Sequence, residues 1–181
     1  MISSSFLINL LRFSLLVLVQ TLIFNHLNFF GFINPFVYIL FIYWYPIKEN
    51  RTTFLIISFL LGLCIDIFAD TLAINAAAAL TIAYFRPVIM RFVFGVNYEF
   101  QSFKLNTSTK AQQITFLALL IIIHHITYFT LEIFSFTNSL LIIQKTLIIG
   151  LVTLILCLLF ISLFSTKKEW EKFFFHRLSY S

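Results

Sequence analysis

The chain has 181 residues, of which 61% are hydrophobic, 19% aromatic and only 10% charged. Soluble domains carry about a quarter charged residues, so this composition excludes a soluble globular protein and predicts an integral membrane protein. A chain of this length has room for about six helical spans of roughly 20 residues, and none for a separate soluble domain. The net charge of +5 comes from basic residues at the ends of apolar segments, which is typical of membrane orientation and not of nucleic-acid binding.

Apolar segments separated by polar turns predict one all-α membrane domain with six transmembrane helices. The predicted spans are residues 6–26, 32–47, 52–71, 72–91, 114–134 and 139–164. The first is interpreted as a retained helix because no small-residue cleavage site follows it. The second is short, and an extension of the fourth past Pro87 to Phe94 is left open. The basic, aromatic tail at 166–181 predicts an interfacial amphipathic helix.

The basic residues predict the orientation of this bundle. If both termini face the cytoplasm, the outward connections are residues 26–35, 70–75 and 134–139. These three connections contain no Lys or Arg, whereas the inward segments carry all of the basic turns. The positive-inside rule therefore favours an even number of spans with both termini in the cytoplasm.

Two carboxylates stand inside the apolar third span. Asp66 and Asp70 are four residues apart, which places them one above the other on one helix face. Ionisable groups at membrane depth usually face the bundle interior and have a function. The two aspartates are therefore candidates for an outward-facing binding or structural pocket, together with Asn75 after the turn. The alternative is that Asp70 caps the next helix while Asp66 makes a structural hydrogen bond.

A basic residue in the sixth span is a candidate partner for these acids. The third span runs outward and the sixth runs inward, so Asp66 and Lys145 are expected at similar depth. A lone charge in the bilayer costs about 3 kcal/mol, which favours an ion pair or a water-filled pocket. Glu132, near the outer end of the fifth span, is a second candidate partner for Lys145. The sequence leaves that choice open.

Other conspicuous residues have a packing or anchoring interpretation. Small residues beside the acids predict close helix packing; they are Gly62, Ala73, Ala76 and Ala77. Basic and aromatic residues at span ends predict interface anchors, with a protein-binding surface as the alternative; they are Arg86, Lys167, Lys168 and Trp170. His124 and His125 are adjacent, and packing or hydrogen bonding is favoured for them over proton transfer.

The sequence also lacks the usual marks of catalysis. It contains no phosphate-cradling glycine loop, no metal-ligand spacing, and no serine or cysteine nucleophile with a plausible base. We therefore expect a protein that is not an enzyme, with no cofactor, no metal and no nucleic-acid partner.

Several motifs resemble those of the rod shape-determining MreD family, in the form found in Bacteroidota. They are Gly62-x-x-x-Asp66, Asp70-Thr71-Leu72, the alanine-rich helix ending Ala83-Tyr84-x-Arg86-Pro87, and Asn34-Pro35-Phe36-Val37-Tyr38. The length and the basic tail are similar as well. Members of that family often have glycine where Ala73 stands and histidine where Asn75 stands.

The resemblance implies a non-enzymatic component of the bacterial cell-elongation machinery in the inner membrane. Such a protein binds MreC directly and works with MreB, RodA and the elongation transpeptidase in peptidoglycan synthesis, surrounded by membrane lipids. It also implies a six-helix fold similar to the S components of energy-coupling-factor vitamin importers. The competing hypothesis is therefore a small-molecule-binding importer subunit whose carboxylates bind a cationic or polar ligand, and a third is proton conduction through Asp66, His124 and His125.

Overall fold

The computed structural model describes residues 4–25, 34–47, 49–99, 103–134 and 139–178. Side-chain surroundings are described within these ranges from Leu7 to Leu163, with the exception of Asn97 and Glu99. The protein is all-helical, with 86% helix and no strand in the part that the structure describes. This confirms the predicted fold class at the level of an all-α protein.

Six α-helices follow one another along the described ranges. They are α1 (Ser4–Val19), α2 (Ile39–Trp44), α3 (Arg51–Ala69), α4 (Ile74–Phe94), α5 (Lys110–Ile133) and α6 (Ser139–Leu178). A π-helical turn, Gln20–Phe24, extends α1, and two short 3₁₀ turns, Gly95–Glu99 and Leu105–Thr107, lie between α4 and α5. Helices α3 to α6 pack in sequence, each against the next.

Five segments are long and apolar enough to cross a membrane. They are Leu7–Phe24, Arg51–Ala69, Ile74–Phe94, Lys110–Ile133 and Ser139–Leu163. Their lengths of 18 to 25 residues match the thickness of a bilayer. The chain is therefore a multi-pass membrane protein by length and composition.

The second predicted span, 32–47, differs most from its prediction. Only Ile39–Trp44 of it is α-helical, a length of about 9 Å, which is a third of the hydrocarbon core. Residues 32 and 33 lie outside the described ranges. Nearly every side chain from Phe36 to Tyr45 is buried. This segment fills the centre of the bundle, where protein rather than lipid surrounds its irregular backbone, as membrane-embedded loops require.

The ends of the other helices follow from local capping. The Asn50 side chain accepts the Thr52 N–H at 2.9 Å, so α3 begins at Arg51. A capping box between Thr109 and Gln112 starts α5 at Lys110, four residues before the predicted start. Helix α4 continues through Pro87 to Phe94, so the extension left open by the sequence is present.

The last predicted span and the tail form one continuous backbone helix. Helix α6 runs for 40 residues, from Ser139 to Leu178, without an end near residue 164. The sequence predicts a span and a separate amphipathic helix here. The predicted anchors Lys167, Lys168 and Trp170 belong to this helix, but their side chains lie outside the described part.

Candidate functional site

The turn between α3 and α4 is the local structure on which the candidate site is built. Asp70 ends α3 in the left-handed region, with φ 53°, and its N–H donates to the carbonyl of Asp66. Ala73 starts α4 in the same region, with φ 58°. Two left-handed residues three positions apart reverse the chain within a few residues. The predicted role of Ala73 in helix packing differs from its position here, because its side chain is exposed in this turn.

Asp66 caps the N-terminus of the next helix from within α3. One carboxylate oxygen, Oδ1, accepts the Asn75 N–H at 3.0 Å and the Asn75 Nδ2 at 2.9 Å, and the Thr71 hydroxyl also donates to it. The other oxygen, Oδ2, accepts the Ala76 N–H at 2.8 Å. The first N–H groups of a helix have no partner within it and carry partial positive charge. The buried carboxylate, 3% exposed, therefore has four donors and no need of a basic partner.

Gly62 explains how the carboxylate reaches this position. A Cβ at residue 62 would lie 2.5 Å from the Ala76 Cα and 2.5 Å from the Asn75 carbonyl oxygen. No side chain fits there, so the two helices touch through their backbones. Asp66 lies one turn further along α3 and meets the start of α4 directly. The Gly62-x-x-x-Asp66 motif thus joins α3 to α4, and Ala76 is buried at this contact.

A chain of hydrogen bonds leads from this cap into the bundle. The Tyr38 hydroxyl contacts the Asn75 Oδ1 at 3.1 Å and also contacts the Nε2 of His124. Because the amide nitrogen of Asn75 already donates to Asp66, its oxygen is the acceptor for Tyr38. We assign the proton of His124 to Nε2, which donates to Tyr38 and completes a donor chain from His124 to Asp66. The Nδ1 of His124 is buried without a partner.

His125 belongs to a second, adjoining set of contacts. Its Nδ1 contacts the carbonyl oxygen of Ile121 at 2.8 Å, which assigns the proton to Nδ1. Its Nε2 then accepts from the Thr153 hydroxyl at 3.3 Å, and the same hydroxyl accepts the Phe36 N–H. Both nitrogens of His125 are engaged in the neutral form, so this side chain links α5, α6 and the buried segment.

Gln20 holds the irregular backbone before α2. Its Oε1 accepts the N–H groups of Val37 and Tyr38, and its Nε2 donates to the carbonyl of Pro35 at 3.0 Å. Gln20, Tyr38 and Thr153 are not among the site residues predicted from the sequence. An amide within the apolar run of the first span is the signal that points to Gln20, since buried polar groups need partners.

Lys145 pairs with Glu132 and not with Asp66. The Lys145 Nζ lies 2.9 Å from the Glu132 Oε2, and both side chains are 38% exposed. This decides between the two pairings that the sequence left open. The physical reason is that the carboxylate of Asp66 is occupied by α4, whereas Glu132 and Lys145 face each other near the end of α5 and the start of α6.

The two aspartates therefore have different surroundings. Asp70 is exposed at the end of α3, while Asp66 is buried. Asn75, which was predicted with them, bonds both to Asp66 and to Tyr38. Ala77 is half-buried on α4. The structure thus brings Gly62, Asp66, Asn75 and Ala76 into one cluster and leaves Asp70 outside it.

Arg86 lies at the opposite end of the α3–α4 pair and is buried, which differs from the predicted headgroup anchor. Its Nη2 donates to the carbonyl oxygen of Tyr45, just after the end of α2. Its guanidinium lies 5.1 Å from the ring centre of Phe54. The buried cation is therefore held by a backbone carbonyl oxygen, as the buried anion Asp66 is held by backbone N–H groups.

Within the described ranges, no group of three His, Cys, Asp or Glu side chains is arranged to hold a metal ion. In comparisons with known proteins, no family model, no curated protein and no solved structure matches the chain.

Proposed function

We propose that the protein is a non-enzymatic membrane scaffold of the MreD type, which binds the single-span protein MreC in the bacterial inner membrane. In this proposal the bundle has six spans, with the buried segment around α2 counted as the second. Both termini face the cytoplasm, and the α3–α4 turn faces outward. MreB, RodA and the elongation transpeptidase are the wider partners.

The observation that supports a scaffold is the saturation of Asp66. Its two oxygens accept from Thr71, Asn75 and the Ala76 N–H, so the carboxylate is used to join α3 to α4. A carboxylate that binds a cationic substrate needs a free oxygen. The importer hypothesis depends on such a group, and both oxygens of Asp66 already accept hydrogen bonds from α4. An acid that fixes the shape of the bundle serves a protein whose function is to present a surface.

The surface available to a partner is large and apolar. The outer face of α6 presents a stripe of exposed aliphatic side chains at intervals of four residues; they are Ile143, Leu147, Leu151, Ile155, Leu159 and Leu163. Only 22% of an apolar 18-residue window within Ser139–Leu163 is buried, against 44% for the corresponding windows of α4 and α5. Lipid or the helix of a partner can cover such a face equally well, so this surface is compatible with the proposal without identifying the partner.

Co-purification with MreC tests the proposal. Tagged wild-type protein, co-expressed with MreC in a bacterial membrane and purified in mild detergent, is expected to retain MreC. The Asp66→Asn variant should retain MreC only in proportion to its folded fraction, because the role of Asp66 is architectural. The Asp70→Asn variant controls for loss of a carboxylate at the same end.

Absence of MreC from folded wild-type protein would contradict the scaffold. Retention of an ATPase module, together with saturable binding of a small cationic ligand that Asp66→Asn abolishes without loss of fold, would favour the importer instead.

A further inference from the structure

Arg86 has more hydrogen-bonding capacity than its surroundings use. A guanidinium offers five N–H donors, and the structure pairs Nη2 with the Tyr45 carbonyl oxygen. The Nε of Arg86 is buried and has no partner. An unpaired buried donor is destabilising, and more so on a charged group. Such a group is the kind of side chain that a ligand with acceptor oxygens would complete.

The contacts of Arg86 place it level with the start of α3. Its guanidinium covers the ring of Phe54, one turn after the start of α3 at Arg51. Arg51 in turn covers the ring of Tyr84, two residues before Arg86 on α4, at 5.3 Å. The two helices are therefore in register here, and Arg86 lies level with the turn that begins α3. Span ends of this kind lie at the depth of lipid headgroups.

Two further guanidinium groups mark the same level. Arg12 lies 5.8 Å from the ring centre of Trp44, next to the Tyr45 carbonyl that Arg86 binds, and Arg51 lies over Tyr84. Among the described residues the one ion pair is Lys145–Glu132, so none of these three arginines is neutralised by a carboxylate there. Arginine and aromatic rings together at a bilayer edge are typical of headgroup contact.

We propose that Arg86 is the centre of a binding site for the phosphodiester group of a phospholipid at this edge of the membrane. A phosphate presents several acceptor oxygens to the planar donor fork of a guanidinium, which fits better than a single carbonyl. Arg86 is 5% exposed, so the site is a contact for one phosphate at the rim of the bundle and not an open cavity. Arg12 and Arg51 add positive charge at the same level.

Lipid retention by the purified protein tests this site. Protein in detergent is titrated with phosphatidylglycerol, and bound lipid is counted by native mass spectrometry. The Arg86→Gln variant is expected to bind at least about tenfold more weakly than wild type, since it loses a charge-assisted contact. Arg91→Gln is the matched control, because Arg91 lies on the same helix and is exposed. Arg86→Lys keeps the charge but not the planar donor fork, so its affinity for the lipid should lie between those of Arg86→Gln and wild type.

A measurement on the unmodified protein keeps the test independent of how the variants fold. The thermal unfolding midpoint of wild type should rise on addition of phosphatidylglycerol, and inorganic phosphate at millimolar concentration should not reproduce or block the rise. No rise with the lipid, or equal lipid binding by Arg86→Gln and Arg91→Gln, would overturn the proposal. A rise with inorganic phosphate alone would also overturn it, because the site would then bind free phosphate.

Discussion

The two buried charges at opposite ends of the α3–α4 pair are held in the same way but to different degrees. Asp66 lies against the N-terminus of α4, where four donors reach its oxygens. Arg86 lies against the carbonyl end of α2, where one acceptor reaches its Nη2 and its Nε has none. Each charge is held by backbone groups of opposite polarity, N–H groups for Asp66 and a carbonyl oxygen for Arg86.

The difference between the two ends indicates a structural role for one and a binding role for the other. A saturated charge has no capacity left for a ligand, so the Asp66 end fixes the shape of the bundle. A charge with spare donors stays under-satisfied until something else binds, so the Arg86 end is the candidate for contact with another molecule. Single substitutions in and between the two ends test this contrast.

Substitution of Gly62 should have the largest effect on the saturated end. In Gly62→Ala the new Cβ would meet the backbone of α4 at 2.5 Å, so the helices must separate. We expect a loss of about 3 kcal/mol in the free energy of unfolding, measured in detergent. Gly150→Ala is the control, because its Cβ would meet a side-chain atom of Ile121 at 3.6 Å, an ordinary contact. Equal effects at the two glycines would contradict the close approach.

Removal of the charge at Asp66 should have the next largest effect. In Asp66→Asn the new side-chain NH₂ group faces one of the groups that donate to the carboxylate in wild type. The N–H groups of Asn75 and Ala76 also lose a charged acceptor. The expected loss in the free energy of unfolding is about 2–3 kcal/mol. Asp70→Asn keeps a residue type that tolerates the left-handed region and should change the free energy by less than about 0.5 kcal/mol. A larger effect at Asp70 than at Asp66 would reverse our assignment of the two acids.

Loss of Gln20 tests the support of the buried segment between the two ends. Gln20→Leu leaves the buried Val37 N–H without its acceptor at 2.9 Å, which should lower the free energy of unfolding by about 2 kcal/mol. Gln144→Leu serves as the control, since Gln144 is exposed on α6. If the two variants unfold at the same midpoint, Gln20 does not support this backbone.

The smallest expected effect has the opposite sign. Ala73 has φ 58°, a conformation that costs an L-residue about 1–2 kcal/mol and glycine very little. Ala73→Gly should therefore raise the free energy of unfolding by about 0.5 kcal/mol after the added freedom of the unfolded chain is counted. Ala79→Gly, at a buried position within α4, should lower it. A decrease at both positions would count against the left-handed turn.

Much of the fold could be predicted from the sequence, because membrane spans are set by length and hydrophobicity. The segments corresponding to α3, α4, α5 and the first part of α6 were predicted with shifts of a few residues at their ends. Hydrophobicity could not predict that the α-helix within the segment 32–47 is confined to Ile39–Trp44, since a buried irregular segment and a short span have the same composition. The side chains of Gln20 and Thr153, which are distant in sequence, accept backbone N–H groups of this segment.

The candidate site was predicted in part. The sequence predicts Gly62 as a packing residue and Asp66 as a pocket residue, and the alternative that Asp66 makes a structural hydrogen bond agrees with its contacts. The partner of Lys145 was left open because depth alone does not distinguish Asp66 from Glu132. The buried position of Arg86 could not be predicted, since a span-end arginine usually reaches outward to the headgroups.

Amide hydrogen exchange at the start of α4 tests the central claim, that Asp66 caps this helix, most directly. The first N–H groups of a helix normally lack partners and exchange rapidly. In wild-type protein the amides of Asn75 and Ala76 are expected to exchange slowly, and in Asp66→Asn this protection should fall while Asp70→Asn retains it. Equal protection of these two amides in wild type and Asp66→Asn would contradict the account.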